Sequence, residues 1–85
     1  METRFIYLVI FSTIADGVME SEEMKAYADE EKALETFKKW CDKDRIASKN
    51  DGWEIEENEH SYYSYLDGWA IDNHTTISCR KVELK

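Results

Sequence analysis

Two cysteines and two histidines, Cys41, His60, His74 and Cys79, form the donor set of a tetrahedral zinc site. Their spacing argues against one. The gaps are 19, 14 and 5 positions, which fits no zinc finger as a set, and no pair is close on one turn. Hydrophobic periodicity puts both cysteines on core faces, where cysteine behaves as a small apolar residue. The histidines stand among turn residues and acids, and read as exposed side chains that gain charge as pH falls. A thiol nucleophile at Cys41 would have Lys38 and Lys39 nearby, but no base or oxyanion donor accompanies it. The 19 acids allow many carboxylate pairs of the glycosidase type, and without a groove such abundance specifies nothing. The acidic run at 54–59 lacks the D-x-[DN]-x-[DN]-G spacing of a calcium loop. The expectation is a protein that is not an enzyme and holds no metal or cofactor.

The acids themselves carry more information. Residues 51–72 contain seven of them, Asp51, Glu54, Glu56, Glu57, Glu59, Asp67 and Asp72, and no lysine or arginine. That stretch alone supplies −7 of a net charge of −8. It also holds Trp53, Tyr62, Tyr63, Tyr65 and Trp69. Part of the charge elsewhere has a local reason. Asp29, Glu30 and Glu31 begin a predicted helix and Lys43, Arg45 and Lys49 lie near its end, which suits the helix dipole. Residues 51–72 have no such reason. A negative segment interleaved with tyrosine and tryptophan suits a basic protein surface and repels nucleic acid phosphates. The expected partner contacts are Glu54, Glu56, Glu57, Glu59, Tyr63, Tyr65, Asp67, Trp69 and Asp72. The competing reading is a solvated edge whose charges only prevent aggregation.

Eighty-five residues, 42% of them hydrophobic, make one domain with one helix-on-sheet core. The longest apolar run, residues 5–11, is far short of the roughly 20 residues of a membrane span. It also lacks the basic flank and cleavage site of a signal peptide. Two cysteines with no CxxC point to reduced thiols and a cytoplasmic protein, with a helix-to-sheet disulfide as the alternative.

Residues 4–14 are β-branched and aromatic and predict a central strand, followed by an Asp16-Gly17 turn. Residues 18–28 predict an antiparallel return with Met24, Ala26 and Ala28 on one face and Lys25 and Tyr27 on the other. Asp29 is a good N-cap. Ala33, Leu34, Phe37, Trp40 and Cys41 then recur on one helical face, predicting a helix over 29–46 that fails at Asn50-Asp51-Gly52. Trp53 and Ile55 alternate with Glu54 and Glu56 in a third strand that continues irregularly to Leu66. Residues 76–84 predict the last strand, with Ile77 and Cys79 and then Val82 and Leu84 inward, and a bulge at Arg80-Lys81. The order β-β-α-β-β gives an α+β domain: an antiparallel sheet with one helix packed across one face.

The first strand is apolar on both faces, with Phe5, Tyr7, Val9 and Phe11 on one and Ile6, Leu8 and Ile10 on the other. One helix covers one face. Burying three large aliphatic side chains is worth roughly 5–9 kcal/mol at about 1.5–3 each. The second face therefore calls for a homodimer, for cover by residues 62–69, or for a different partner.

The phrase Lys25-Ala-Tyr-Ala-Asp-Glu-Glu-Lys-Ala-Leu, the long helix after it and the closing Ile-Ser-Cys-Arg-Lys-Val-Glu-Leu resemble small acidic proteins of phages and mobile elements. The resemblance is one of layout across the whole chain and transfers no site residues. That group includes anti-CRISPR-like inhibitors of host defence nucleases, some of which imitate nucleic acid charge. The resemblance implies a phage-type inhibitor that occupies the basic nucleic-acid-binding surface of a host defence protein. The alternative is a homodimeric structural or regulatory domain whose acids only solubilise it. Neither direct nucleic acid binding nor membrane association is expected.

Overall fold

A computed structural model of the chain describes residues 4–68 and 72–84. Its elements run β1 (Arg4–Ala15), β2 (Val18–Tyr27), α1 (Glu30–Asp51), β3 (Glu54–Glu57), β4 (Ser61–Tyr65) and β5 (His74–Leu84). The fold is α+β: one antiparallel sheet of order β2-β1-β5-β4-β3, with α1 across one face. Among the described residues no helix is long and apolar enough to cross a membrane.

The order is β-β-α-β-β-β, one strand more than the β-β-α-β-β expected from sequence. The irregular third strand is two strands folded back on each other. Asn58 makes the reversal, its side-chain oxygen accepting from the backbone N–H groups of His60 and Ser61, both at 3.0 Å. Such an Asx turn needs neither glycine nor proline, so Asn58 marks it without either of them.

α1 starts as expected. Asp29 is extended and its carboxylate accepts from the Glu31 N–H at 2.8 Å. The helix then runs five residues past 46, to Asp51, and ends at Gly52, which is left-handed at φ 76° and donates to the Ser48 carbonyl. Ile46, the helix end expected from sequence, is 67% exposed. The buried residue of that last turn is Ser48. The face through Ala33, Phe37 and Cys41 packs on Val9, Ile77, Cys79 and Tyr62, with Leu34 and Trp40 flanking.

Register assigns the sheet's two faces. Val9 lies beside Cys79 and Lys25, and Phe11 beside Ile77 and Glu23, so these positions face α1. Lys25 lies over the Trp40 ring and Tyr27 bonds Thr36 at 2.7 Å, placing that side of β2 against the helix. The predicted bulge at Arg80-Lys81 is absent, because β1 and β5 pair without a break from Arg4↔Leu84 to Ile14↔His74. Lys81 therefore stays on the helix side, its ammonium 4.0 Å from the Phe5 ring centroid, where a cation–π contact offsets the loss of an apolar residue. Val82 and Leu84 consequently face away from the helix, contrary to the inward set expected. The one irregularity lies between β1 and β2 at Thr13/Ile14.

Candidate protein-binding surface

β3 pairs with β4 through Glu54↔Tyr65, Ile55↔Ser64, Glu56↔Tyr63 and Glu57↔Tyr62. Tyr62 and Ser64 are fully buried beneath the helix, so Glu57 shares their face and Glu54 and Glu56 point the other way. The strand repeat of two thus splits the acidic run. On the open face, Glu54 and Glu56 flank Tyr63 and Tyr65. The two rings stack with centroids 5.2 Å apart and planes at 26°. His74 extends the cluster, 5.6 Å from the Tyr63 ring.

Removal from water, followed by the charges of Glu56, Glu54 and Asp67, holds the Tyr65 phenol above its usual range. Asp67, exposed in the turn after β4, thus borders the same corner. Among the described residues no lysine or arginine forms an ion pair with Glu54 or Glu56. Two uncompensated carboxylates beside stacked phenols suit a guanidinium or ammonium group, which gains both a charge-assisted hydrogen bond and a ring face.

The remaining expected contacts lie elsewhere. Glu57 accepts from Arg45 Nη2 at 2.6 Å, and Arg45 also binds Asp42 while covering the Tyr62 ring. Glu59 borders a shallow depression with Glu57, Arg45 and Cys41 on the helix side. Asp72 tethers the connection before β5 to the first turn, its carbonyl accepting from the Gly17 N–H at 3.0 Å. Trp69 lies outside the described residues. Of the nine expected contacts, Glu54, Glu56, Tyr63 and Tyr65 share one surface, with Asp67 at its rim.

One polar cluster escaped the sequence reading. Asp44 Oδ2 accepts three hydroxyls: Tyr62 at 2.7 Å, Ser64 at 2.8 Å and Ser48 at 3.0 Å. Burial first and the Asp44 bond second push the Tyr62 phenol well above its usual range. With all three hydroxyls bonded to Asp44 Oδ2, this cluster clamps α1 onto β4. Asp44 and Ser48 at i and i+4, next to Cys41, were its only signal.

The residues with metal-binding types do not converge. His74 is on the open face and Cys79 on the helix face. Both cysteines are buried and free. Among the described residues no three histidine, cysteine or acidic side chains are grouped to hold a metal ion. Compared with protein-family models, curated proteins and solved structures, the chain matches none.

Proposed function

We propose that this chain is a non-enzymatic, acidic protein-binding module that occupies a basic, nucleic-acid-binding surface of a larger protein. Glu54, Glu56, Tyr63 and Tyr65 make the contact, with Asp67 at its edge. The observation that carries the reading is the pairing of two uncompensated carboxylates with two stacked tyrosines on one rigid sheet corner. Negative charge steers the approach to a basic groove, and occupancy there displaces phosphate contacts. The tyrosines then slow departure by stacking on arginine. The resemblance of layout read from the sequence points to a host nuclease or its relatives as the target.

The test is capture of a host protein by the wild type and by a Glu54→Lys/Glu56→Lys variant, followed by binding measurements on the captured protein. The wild-type complex should weaken steeply between about 50 and 200 mM salt, and the variant should bind orders of magnitude less tightly. Equal capture and equal affinity for the variant would reject the proposal.

A further inference from the structure

The sheet face away from α1 carries Ile6, Leu8 and Ile10 on β1, Met24 and Ala26 on β2, and Val82 on β5. None of the six is buried, Met24 is 61% exposed, and no described element lies over them. Among the described residues the intramolecular cover considered from sequence does not form. Tyr62 to Tyr65 are a strand of the same sheet, and Tyr62 points to the other side. We propose that a second copy of this chain covers the face, the two sheets stacking with their β1 strands antiparallel about a two-fold axis between Leu8 and Ile10.

The charges on this face choose both the occupant and its direction. Arg4, beside Leu84, marks one end, and Arg80 stands nearer the axis, beside Leu8. At the other end, Glu22 lies beside Ser12, and Glu56 and Glu54 stand beside Tyr63 and Tyr65. The face is thus a flat dipole with two bases against three acids, although the whole chain carries −8. Two copies meeting elsewhere would bring like charge together. Here an antiparallel overlay sets each basic end toward the other's acidic end. It also places Ile10 opposite Leu8 and Met24 opposite Ala26.

Size is consistent with a reversible dimer. Ten strand steps from Arg4 to Ile14, the span symmetric about that axis, cover about 34 Å, and three strands about 14 Å. Two such corrugated faces bury on the order of 1,000 Å² in total, the lower limit of a specific interface, which suits a weak association. The sheet edges offer no rival route. β3 is four residues long, and β2 carries Glu20, Glu22 and Glu23 and an irregular register at Thr13/Ile14. Face-to-face stacking at the usual angle of about −30° gives helix-sheet-sheet-helix layers. Because β4 pairs with β5 only over Ser78 to His74, the overlay leaves the tyrosine corners exposed at opposite ends of the dimer.

Sedimentation velocity on the full chain tests this up to about 200 µM. The wild type should approach twice its 10.1 kDa chain mass at the top of the range. Met24→Lys with Ala26→Lys changes two exposed edge-strand residues without threatening the fold, and should weaken association at least tenfold. Arg4→Glu should weaken it about tenfold, and adding Glu22→Arg should restore it, because the overlay brings each Arg4 to the other copy's Glu22. A monomer at every concentration overturns the proposal, as does a dimer indifferent to the Met24 and Ala26 changes. A monomer that loses a captured host protein on those changes would assign the face to that protein, again overturning it. If dimerisation fails while Glu54→Lys/Glu56→Lys still abolishes partner binding, the acidic corner stands alone.

Discussion

Tyr62 donates its phenolic hydrogen to Asp44 Oδ2 across 2.7 Å, joining the middle of β4 to the helix beneath a fully buried ring. Ser64 and Ser48 donate to the same oxygen, so one carboxylate satisfies three hydroxyls, and two of these belong to residues with no exposed surface. Replacing Asp44 by alanine removes the acceptor of all three. An unsatisfied buried polar group costs about 1–3 kcal/mol, so urea unfolding should show a loss of roughly 2–4 kcal/mol for Asp44→Ala. Tyr62→Phe should cost less, near 1 kcal/mol, and the double variant should fall short of the sum. Additive losses would mean that the bond does not couple helix to strand.

Alkaline pH should unfold the protein. Burial pushes the Cys41 thiol up from its ordinary 9.0 to about 12, against the pull of Arg45, and burial and Asp44 raise the Tyr62 phenol. The folded chain then holds protons that the unfolded chain releases. This stability is complete below pH 9 and is lost as pH rises from 9 toward 12. The urea midpoint should fall across that window, and Cys41→Ala should flatten the fall. A midpoint constant from pH 9 upward would contradict the assignment.

Thiol reagents give an independent reading of the same burial. The thiolate is the reactive form, and both cysteines are buried with raised pKa values. At neutral pH the native protein should react slowly with a chromogenic disulfide, and the urea-unfolded protein should release two equivalents at once. Rapid labelling of the native state would show that one of them is accessible.

The four glutamates of the acidic run should separate by face. Glu57→Lys breaks the Arg45 pair and introduces a like charge, with an expected cost of about 0.5–1 kcal/mol, because the pair is half exposed. Glu54→Lys and Glu56→Lys, which interrupt no ion pair among the described residues, should change stability by no more than about 0.5 kcal/mol. Thermal melts of the three single variants decide this. Equal losses would place all three carboxylates in the same environment.

Asn58 should matter more than its exposure suggests. Asn58→Ala removes the acceptor of two turn amides, and about 1 kcal/mol of stability should go with it. Amide exchange at His60 and Ser61 should accelerate in the variant, and unchanged exchange would assign the turn to the strands alone.

Local chemistry was enough to read much of this chain. The alternation of Val9 and Phe11 against Leu8 and Ile10, the helical recurrence of Ala33, Phe37 and Cys41, and the Asp29 cap each depend on neighbours a few positions away. Strand and helix periods and a capping carboxylate are short-range properties, and they carry the α+β class and the helix's buried face. Tertiary packing decided the rest. Lys81 and Val82 both fit an inward position locally, and only the unbroken pairing with β1, together with the Phe5 ring, turned Val82 outward. The acids at 54–57 form one run in sequence. Once Tyr62 and Ser64 went under the helix, the pleat sent Glu57 to Arg45 and left Glu54 and Glu56 with the stacked tyrosines on the open face. Ser48, beyond the expected end of the helix, is buried because Asp44, eighteen and twenty positions before Tyr62 and Ser64, supplies the bond that makes a buried hydroxyl tolerable. Hydrogen bonds between distant segments are invisible to periodicity, which records only where a side chain points and not what it will meet.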